Sequence, residues 1–190
     1  MPLIASRAGG STGGFGGLGV SSPAVVVGDL GSFFPIMSYV VPATSQTVIT
    51  FSSIPATYKH LQIRLTAKLS ANGYPQLRFN GDTGSNYSYH FIYGDGSLCQ
   101  SGQSTSTTNI FTTYAGNATN PTVSVIDILD YADANKYTTT RSLNGQDNNG
   151  TGFIWLFSGN WRNTAAVTSI TLTTSDLYTQ YSSFALYGVM

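Results

Sequence analysis

The stretch Leu61-Gln62-Ile63-Arg64-Leu65-Thr66-Ala67-Lys68-Leu69 decides the fold class, because every odd position in it is apolar and every even position is polar. This alternation places the apolar side chains on one face of a β-strand, whereas a helix would scatter them around its axis. Residues 61–69 are therefore predicted to form a strand that buries one face.

Other segments that are rich in Thr, Val, Ile, Tyr and Phe predict further strands on both sides of this one. Turn formers such as Ala71-Asn72-Gly73 and Asn144-Gly145 separate them, and only residues 131–135 show any helical tendency. About ten short strands joined by polar turns indicate an all-β fold, a two-sheet β-sandwich of the jelly-roll type. The predicted strands are 47–51, 61–69, 76–80, 87–93, 108–114, 122–131, 137–143, 153–158, 167–174 and 181–189.

Composition limits the kinds of partner that the chain can have. Its 190 residues are 41% hydrophobic but only 8% charged, against roughly 25% charged in average soluble domains. A net charge of zero offers no long-range attraction for nucleic acid or for an anionic membrane, so we expect neither as a partner. Cys99 is the single cysteine and cannot form an intrachain disulfide. We also expect no secretory signal and no transmembrane span.

The chain divides into two parts by composition. Residues 1–35 contain nine of the 21 glycines and are predicted to form an extended Gly-rich arm, while residues 36–190 form the sandwich domain. The arm is either a linker or a segment that becomes ordered along a neighbouring subunit. A linker has no need of apolar side chains, so the candidate anchors to an assembly are Leu3, Ile4, Phe15 and Leu18.

No residue pattern indicates catalysis, and we expect a non-enzymatic protein without a cofactor. His60 and His90 lie among apolar or aromatic neighbours on predicted strands, where a structural role is the more frequent one. Asp127 and Asp130 would face opposite sides of a strand, which argues against a glycosidase carboxylate pair. The sequence also contains no Ser elbow, no His-Glu-x-x-His motif and no Walker loop.

Structural roles suffice for the aspartates near this point of the chain. Asp127 is expected to pair across the sheet with Arg64 or Arg141, and Asp130 and Asp133 are expected to cap the turn that follows.

Turn residues are the remaining candidates for binding. Asp82, Asp95 and Asp147 lie in Gly- and Asn-rich loops that could supply oxygen ligands to calcium, but Asx residues in turns usually bond their own backbone, so no metal site is predicted. Tyr rings beside Asn and Asp are typical of surfaces that bind sugars or proteins. The candidate ligand-binding residues are Tyr74, Asn86, Tyr87, Asp95, Asp147, Asn148 and Asn149.

Four stretches carry a resemblance to a known group of proteins. They are Ile49-Thr50-Phe51-Ser52-Ser53-Ile54-Pro55-Ala56-Thr57-Tyr58-Lys59-His60-Leu61-Gln62-Ile63-Arg64, Arg78-Phe79-Asn80-Gly81-Asp82-Thr83-Gly84-Ser85-Asn86-Tyr87-Ser88, Ser158-Gly159-Asn160-Trp161-Arg162-Asn163 and Ser182-Ser183-Phe184-Ala185-Leu186-Tyr187-Gly188. Together they resemble small virion proteins of marine and cyanobacterial tailed phages. The resemblance implies a structural role in a phage particle and carries over no catalytic residue.

Two positions within the virion are compatible with this resemblance. In the first, the arm anchors the chain to a tail fibre or baseplate, and loops of the sandwich bind a neutral glycan on the host surface. In the second, the protein is a cement or decoration protein of the capsid. The order of arm and sandwich, together with the loop aromatics, favours the appendage. Low charge and apolar strands predict a homo-oligomer, most simply a homotrimer, with other virion proteins as partners.

Overall fold

The computed structural model describes residues 32–116 and 119–190. The arm prediction, including Leu3, Ile4, Phe15 and Leu18, falls almost entirely on residues 1–31 and therefore lies outside the described residues. The described part of the chain holds no helix long and apolar enough to cross a membrane. Its strands are β1 (Phe33–Val40), β2 (Gln46–Phe51), β3 (His60–Ala67), β4 (Gln76–Phe79), β5 (Tyr87–Gly94), β6 (Cys99–Thr107), β7 (Ile110–Phe111), β8 (Thr122–Leu129), β9 (Thr138–Asp147), β10 (Gly152–Trp161), β11 (Ile170–Tyr178) and β12 (Ser183–Val189).

The strands form two antiparallel sheets, one of eight strands and one of four. The larger sheet has the order β1-β12-β3-β8-β9-β10-β5-β6, and the smaller has the order β2-β11-β4-β7. The chain crosses between the sheets repeatedly, since β2, β4, β7 and β11 each lie between strands of the larger sheet in sequence. The predicted all-β sandwich is confirmed.

The core lies between the two sheets and follows the alternation of the strands. In β3, Leu61, Ile63, Leu65 and Ala67 are buried, as the period-two pattern predicts. Residues that face the opposite way on the same strand stay wholly or partly exposed. The largest fully buried side chains are Trp161, Tyr87, Tyr131, Tyr178, Phe51, Phe79, Phe157 and Phe184.

Several predicted boundaries need correction. β1 begins at Phe33, inside the segment that had been assigned to the arm. β6 was not predicted at all, because its Gln, Ser and Thr residues give no apolar period. Residues 108–114 hold only the two-residue strand β7, because the chain after it leaves the sheet and runs over the core. Residues 131–135 form turns rather than a helix.

β9 has an unusual polarity, because its inward side chains are polar. Ser142 donates from its Oγ to the carbonyl of Thr112 at 2.5 Å, and the backbone N–H of Tyr114 donates to Oδ1 of Asn144 at 3.4 Å. The non-strand segment 112–116 therefore covers the inner side of β9 and has its backbone groups satisfied by these side chains. This arrangement fixes the register of β9 and leaves Leu143 pointing outward.

Candidate functional site

The outer face of the eight-stranded sheet carries a row of exposed apolar side chains on four neighbouring strands. Strand register places Val125 beside Leu143, Leu143 beside Leu156, and Leu156 beside Ile92. These residues are 40%, 56%, 43% and 46% exposed in the same order. We call them the apolar row. Scattered apolar residues are normal on a surface, but a contiguous set marks a site of interaction.

Two adjoining depressions lie on this face and share Val123, Gly145 and Ile154. The first, which we call the apolar groove, has a volume of about 650 Å³ and extends toward Tyr39 and Tyr187. The second has a volume of about 700 Å³ and lies between the β5–β6 and β9–β10 turns. We call this second depression the hairpin cleft.

Asp95 forms one wall of the hairpin cleft and is held by its own turn. Its Oδ1 accepts hydrogen bonds from the backbone N–H groups of Ser97 at 2.8 Å and Leu98 at 2.7 Å. The bond from Leu98 and, to a smaller extent, the bond from Ser97 lower the pKa of the Asp95 carboxyl below its usual value, because they favour the ionised form. Gly96 follows with φ of +90°, a conformation that suits glycine at this position of the turn.

Asp147 also lines the hairpin cleft and is held in a similar way. Its Oδ1 accepts from the backbone N–H of Asn149 at 2.7 Å, while the N–H of Asn148 donates to the carbonyl of Thr151 at 2.7 Å. Asn120 adds a further connection, since its Nδ2 donates to the backbone carbonyl of Asp147 at 2.6 Å. Both carboxylates are therefore positioned by local hydrogen bonds before any ligand arrives.

The structure brings part of the predicted binding set together. Asp95 and Asp147 line one cleft, and Asn148 and Asn149 lie in the turn beside it. The prediction missed Phe153 and Ile154, which supply the apolar part of the wall. A signal for them exists in the sequence, because residues 153–157 are five consecutive apolar residues and must place some of them outward.

The other three predicted residues lie away from the cleft. Tyr87 is fully buried, so the prediction of a surface role for it is wrong. Its hydroxyl accepts from the N–H of Phe79 at 3.1 Å and donates to the carbonyl of Asp82 at 3.1 Å, and burial raises its pKa to about 12. Tyr74 is half-buried and stacks on the ring of Phe111, with centroids 4.9 Å apart. Asn86 donates to Asp82, as described next.

Asp82 forms a hydrogen bond that joins two of the stretches that carry the phage resemblance. Its Oδ2 accepts from Trp161 Nε1 at 2.8 Å and from Asn86 Nδ2 at 2.9 Å. The guanidinium of Arg162 donates to the carbonyl of Ser85 at 2.8 Å in the same loop. These residues connect the end of β10 to the β4–β5 loop and are structural in this chain.

No family model, curated protein or solved structure matches the chain.

Other charged groups are paired within the fold. Arg141 Nη2 lies 2.9 Å from Asp127 Oδ2, which confirms one of the two partners expected for Asp127. His60 accepts a hydrogen bond at Nδ1 from the backbone N–H of Asp130 at 2.9 Å, in agreement with a structural role. Asp133 Oδ1 accepts from the N–H of Asn135 at 2.8 Å and so caps the turn as expected. Within residues 32–116 and 119–190, no group of three or more metal-ligating side chains is close enough to hold an ion.

Proposed function

We propose that this chain is a non-enzymatic structural protein of a tailed-phage virion, located in a tail fibre or baseplate appendage, and that its hairpin cleft binds a neutral glycan of the host surface. The observation that carries the proposal is that Asp95 and Asp147 line one cleft together with Phe153 and Ile154.

This combination of groups suits a sugar ring. Carboxylate oxygens accept hydrogen bonds from sugar hydroxyls, and an aromatic or aliphatic wall packs against the apolar face of the ring. The turns hold both carboxylates in place through hydrogen bonds from their own backbone, so these side chains lose little conformational entropy when a ligand binds. A net charge of zero provides no steering toward a strongly anionic polymer, which favours a neutral glycan.

The position in the virion rests on the sequence resemblance. The Gly-rich arm would join the sandwich to other virion proteins, and several copies, three by the simplest expectation, would present their clefts to the host. A cement role on the capsid is the second candidate. The specific observation in its favour is the apolar row, because a broad apolar sheet face suits contacts within a protein lattice.

Adsorption of the labelled full-length protein to susceptible host cells, with a panel of neutral glycans in parallel, tests the proposal. The double variant Asp95→Asn with Asp147→Asn keeps an acceptor oxygen for each turn but removes both charges. Hydrogen bonds to a charged group contribute about 1.5–3 kcal/mol each, so we expect binding to weaken by about tenfold or more. The melting temperature is expected to fall only slightly, because each turn keeps an acceptor oxygen.

Asp133→Asn is the matched control, because Asp133 also accepts a turn N–H but lies beyond the opposite end of β8. Equal adsorption by the wild type and the double variant would contradict the glycan site. The cement role would be favoured if the double variant adsorbs as the wild type does and if particles that lack the protein have fragile capsids.

A further inference from the structure

We infer that the outer face of the eight-stranded sheet is a contact surface for a second copy of this chain, with the apolar row at its centre. This inference concerns assembly and does not depend on glycan binding.

The fold of residues 32–116 and 119–190 cannot bury the apolar row itself. Moving β9 by one residue would turn Leu143 inward, but it would also break the bonds from Ser142 to Thr112 and from Tyr114 to Asn144. On β8, the inward neighbours Ser124 and Ile126 are already buried, which leaves Val125 outside. The exposed apolar side chains are therefore a fixed property of the fold.

The size of the face matches a stable interface. The six neighbouring strands β3, β8, β9, β10, β5 and β6 are centred on the apolar row; spaced about 4.8 Å apart they extend about 24 Å across, and strands of eight residues are about 27 Å long. This part of the face is thus about 650 Å², and specific protein interfaces bury roughly 600–1,000 Å² on each partner. Two sheets that pack face to face, as in a β-sandwich, are an established way of covering such a surface.

The charges on this face are compatible with a copy of itself. Asp127 and Arg141 form an ion pair next to the apolar row, and Gln62 Nε2 donates to the other oxygen of the same carboxylate at 2.8 Å. Two copies brought together would therefore not oppose bare like charges at this point. A strongly charged partner would meet few unpaired opposite charges at this ion pair.

The apolar row also has the symmetry that self-association needs. A two-fold axis parallel to the strands, between β9 and β10, places Leu143 against Leu156 of the second copy and Val125 against Ile92 of the second copy. Each contact then joins two aliphatic side chains. A face that meets itself in this way closes as a pair, so the contact gives a dimer in place of the trimer expected from composition.

The same axis places both hairpin clefts at one end of the contact, with Val123, Gly145 and Ile154 on the covered face. If the clefts bind glycan as proposed above, glycan and the second copy compete for this end of the face, and glycan is expected to weaken the dimer. This step alone rests on the proposed function, and the oligomer measurements below do not involve a glycan.

Sedimentation of the full-length protein at about 10 µM tests the contact, and we expect a dimer. Leu156→Asp places a carboxylate at the centre of the interface in both copies, so the dissociation constant is expected to rise by about a hundredfold or more. Leu177→Asp is the matched control, because Leu177 is 42% exposed on β11 of the other sheet. It is expected to leave the dimer intact.

Cross-linking provides a second measurement that does not depend on a destabilising variant. An equal mixture of two variants, Leu143→Cys and Leu156→Cys, each in a chain that also carries Cys99→Ser, is expected to form disulfide-linked dimers under mild oxidation, whereas Leu177→Cys in the same background is expected to stay unlinked. A monomeric wild type at 10 µM, a trimer, or a dimer that Leu156→Asp leaves unchanged would overturn the inference.

Discussion

The indole Nε1 of Trp161 donates a hydrogen bond of 2.8 Å to Oδ2 of Asp82, and this bond ties the end of β10 to the loop between β4 and β5. The other carboxylate oxygen accepts from the backbone N–H of Gly84 at 2.8 Å. Trp161 is almost completely buried, so its N–H has little access to water as a substitute partner. Asp82 therefore satisfies one buried donor and orders one loop at once.

Asp82→Ala is expected to lower the free energy of unfolding by about 2–3 kcal/mol, because it leaves the buried Trp161 N–H and the Asn86 amide without their acceptor. Urea denaturation followed by tryptophan fluorescence measures this change. Asp82→Asn is the control, since its amide oxygen can still accept one hydrogen bond, and we expect it to retain part of the lost stability. A change below about 0.5 kcal/mol in the alanine variant would show that the bond contributes little.

The stability of the protein is also expected to depend on pH through Asp82. The hydrogen bond from Trp161 is the main cause that holds the pKa of this carboxyl below its usual value. A lowered pKa in the folded state means that the ionised form contributes stability above the unfolded value, and that this contribution is lost as pH falls through the folded value. Unfolding free energies between pH 2 and pH 6 should fall below about pH 4 in the wild type. The fall should be smaller in Asp82→Asn, and parallel profiles would contradict this assignment.

The sandwich was predictable because β3 alternates without interruption and places Leu61, Ile63 and Leu65 on one side. β6 was not predictable in this way, because an edge strand can be held by its backbone ladder alone. It pairs with β5 from Gly94 and Cys99 to Tyr87 and Thr107, while its side chains are mostly polar and exposed. Side-chain periodicity carries no information about such a strand.

The predicted binding residues also divide into those that depend on local sequence and those that depend on distant parts of the chain. Turn chemistry correctly predicted an exposed turn at Asp95 and another directly after Asp147, because an Asx side chain that bonds its own backbone is a local property. Tyr87 was misplaced because the identity of its hydroxyl partners depends on how β4 and β5 lie in space. The outward position of Leu143 was hidden for a similar reason, since the segment that reverses the polarity of β9 is distant in sequence.

Gly188 is expected to tolerate no side chain, because Tyr58 lies directly against it. A Cβ at position 188 would lie 2.2 Å from Tyr58 Cγ, at the base of the ring, where rotation of the ring about its Cβ–Cγ bond cannot relieve the contact. Gly188→Ala is therefore expected to lower the free energy of unfolding by about 1–3 kcal/mol. Thermal melting and urea denaturation give the value.

A double-mutant cycle with Tyr58→Ala is the control for this contact. Removal of the ring should make space for the new methyl group. In the Tyr58→Ala background, Gly188→Ala is therefore expected to lower the free energy of unfolding by only a few tenths of a kcal/mol. The difference from its cost in the wild type is the coupling energy between the two positions. Additive effects would show that the cost at Gly188 comes from its backbone and not from the Tyr58 ring.

Removal of residues 1–30 is expected to leave the sandwich folded, since this segment has few core-forming residues and β1 begins only at Phe33. Under the proposed function, incorporation into the virion is expected to be lost, because the arm carries the candidate anchors. Thermal melting and particle binding separate the two effects. Loss of folding would identify the arm as part of the core, and unchanged incorporation would identify it as a linker.

Tyr178→Phe is expected to stabilise the protein. Tyr178 is fully buried and makes an edge contact with the ring of Phe184, with centroids 5.0 Å apart, but its hydroxyl has no hydrogen-bond partner among the described residues. Burial raises the pKa of this hydroxyl, as expected for a group removed from water. Phenylalanine keeps the ring and removes the unpaired polar atom, so the free energy of unfolding is expected to rise by about 1 kcal/mol.

Tyr87→Phe is the matched control for this prediction and is expected to have the opposite sign. The Tyr87 hydroxyl is equally buried but accepts from the N–H of Phe79 and donates to the carbonyl of Asp82. Its removal leaves a buried backbone donor unpaired, which costs about 1–3 kcal/mol. Urea denaturation of both variants under one set of conditions gives the comparison. If Tyr178→Phe lowers stability as Tyr87→Phe does, the Tyr178 hydroxyl must make a bond that contributes to the folded state.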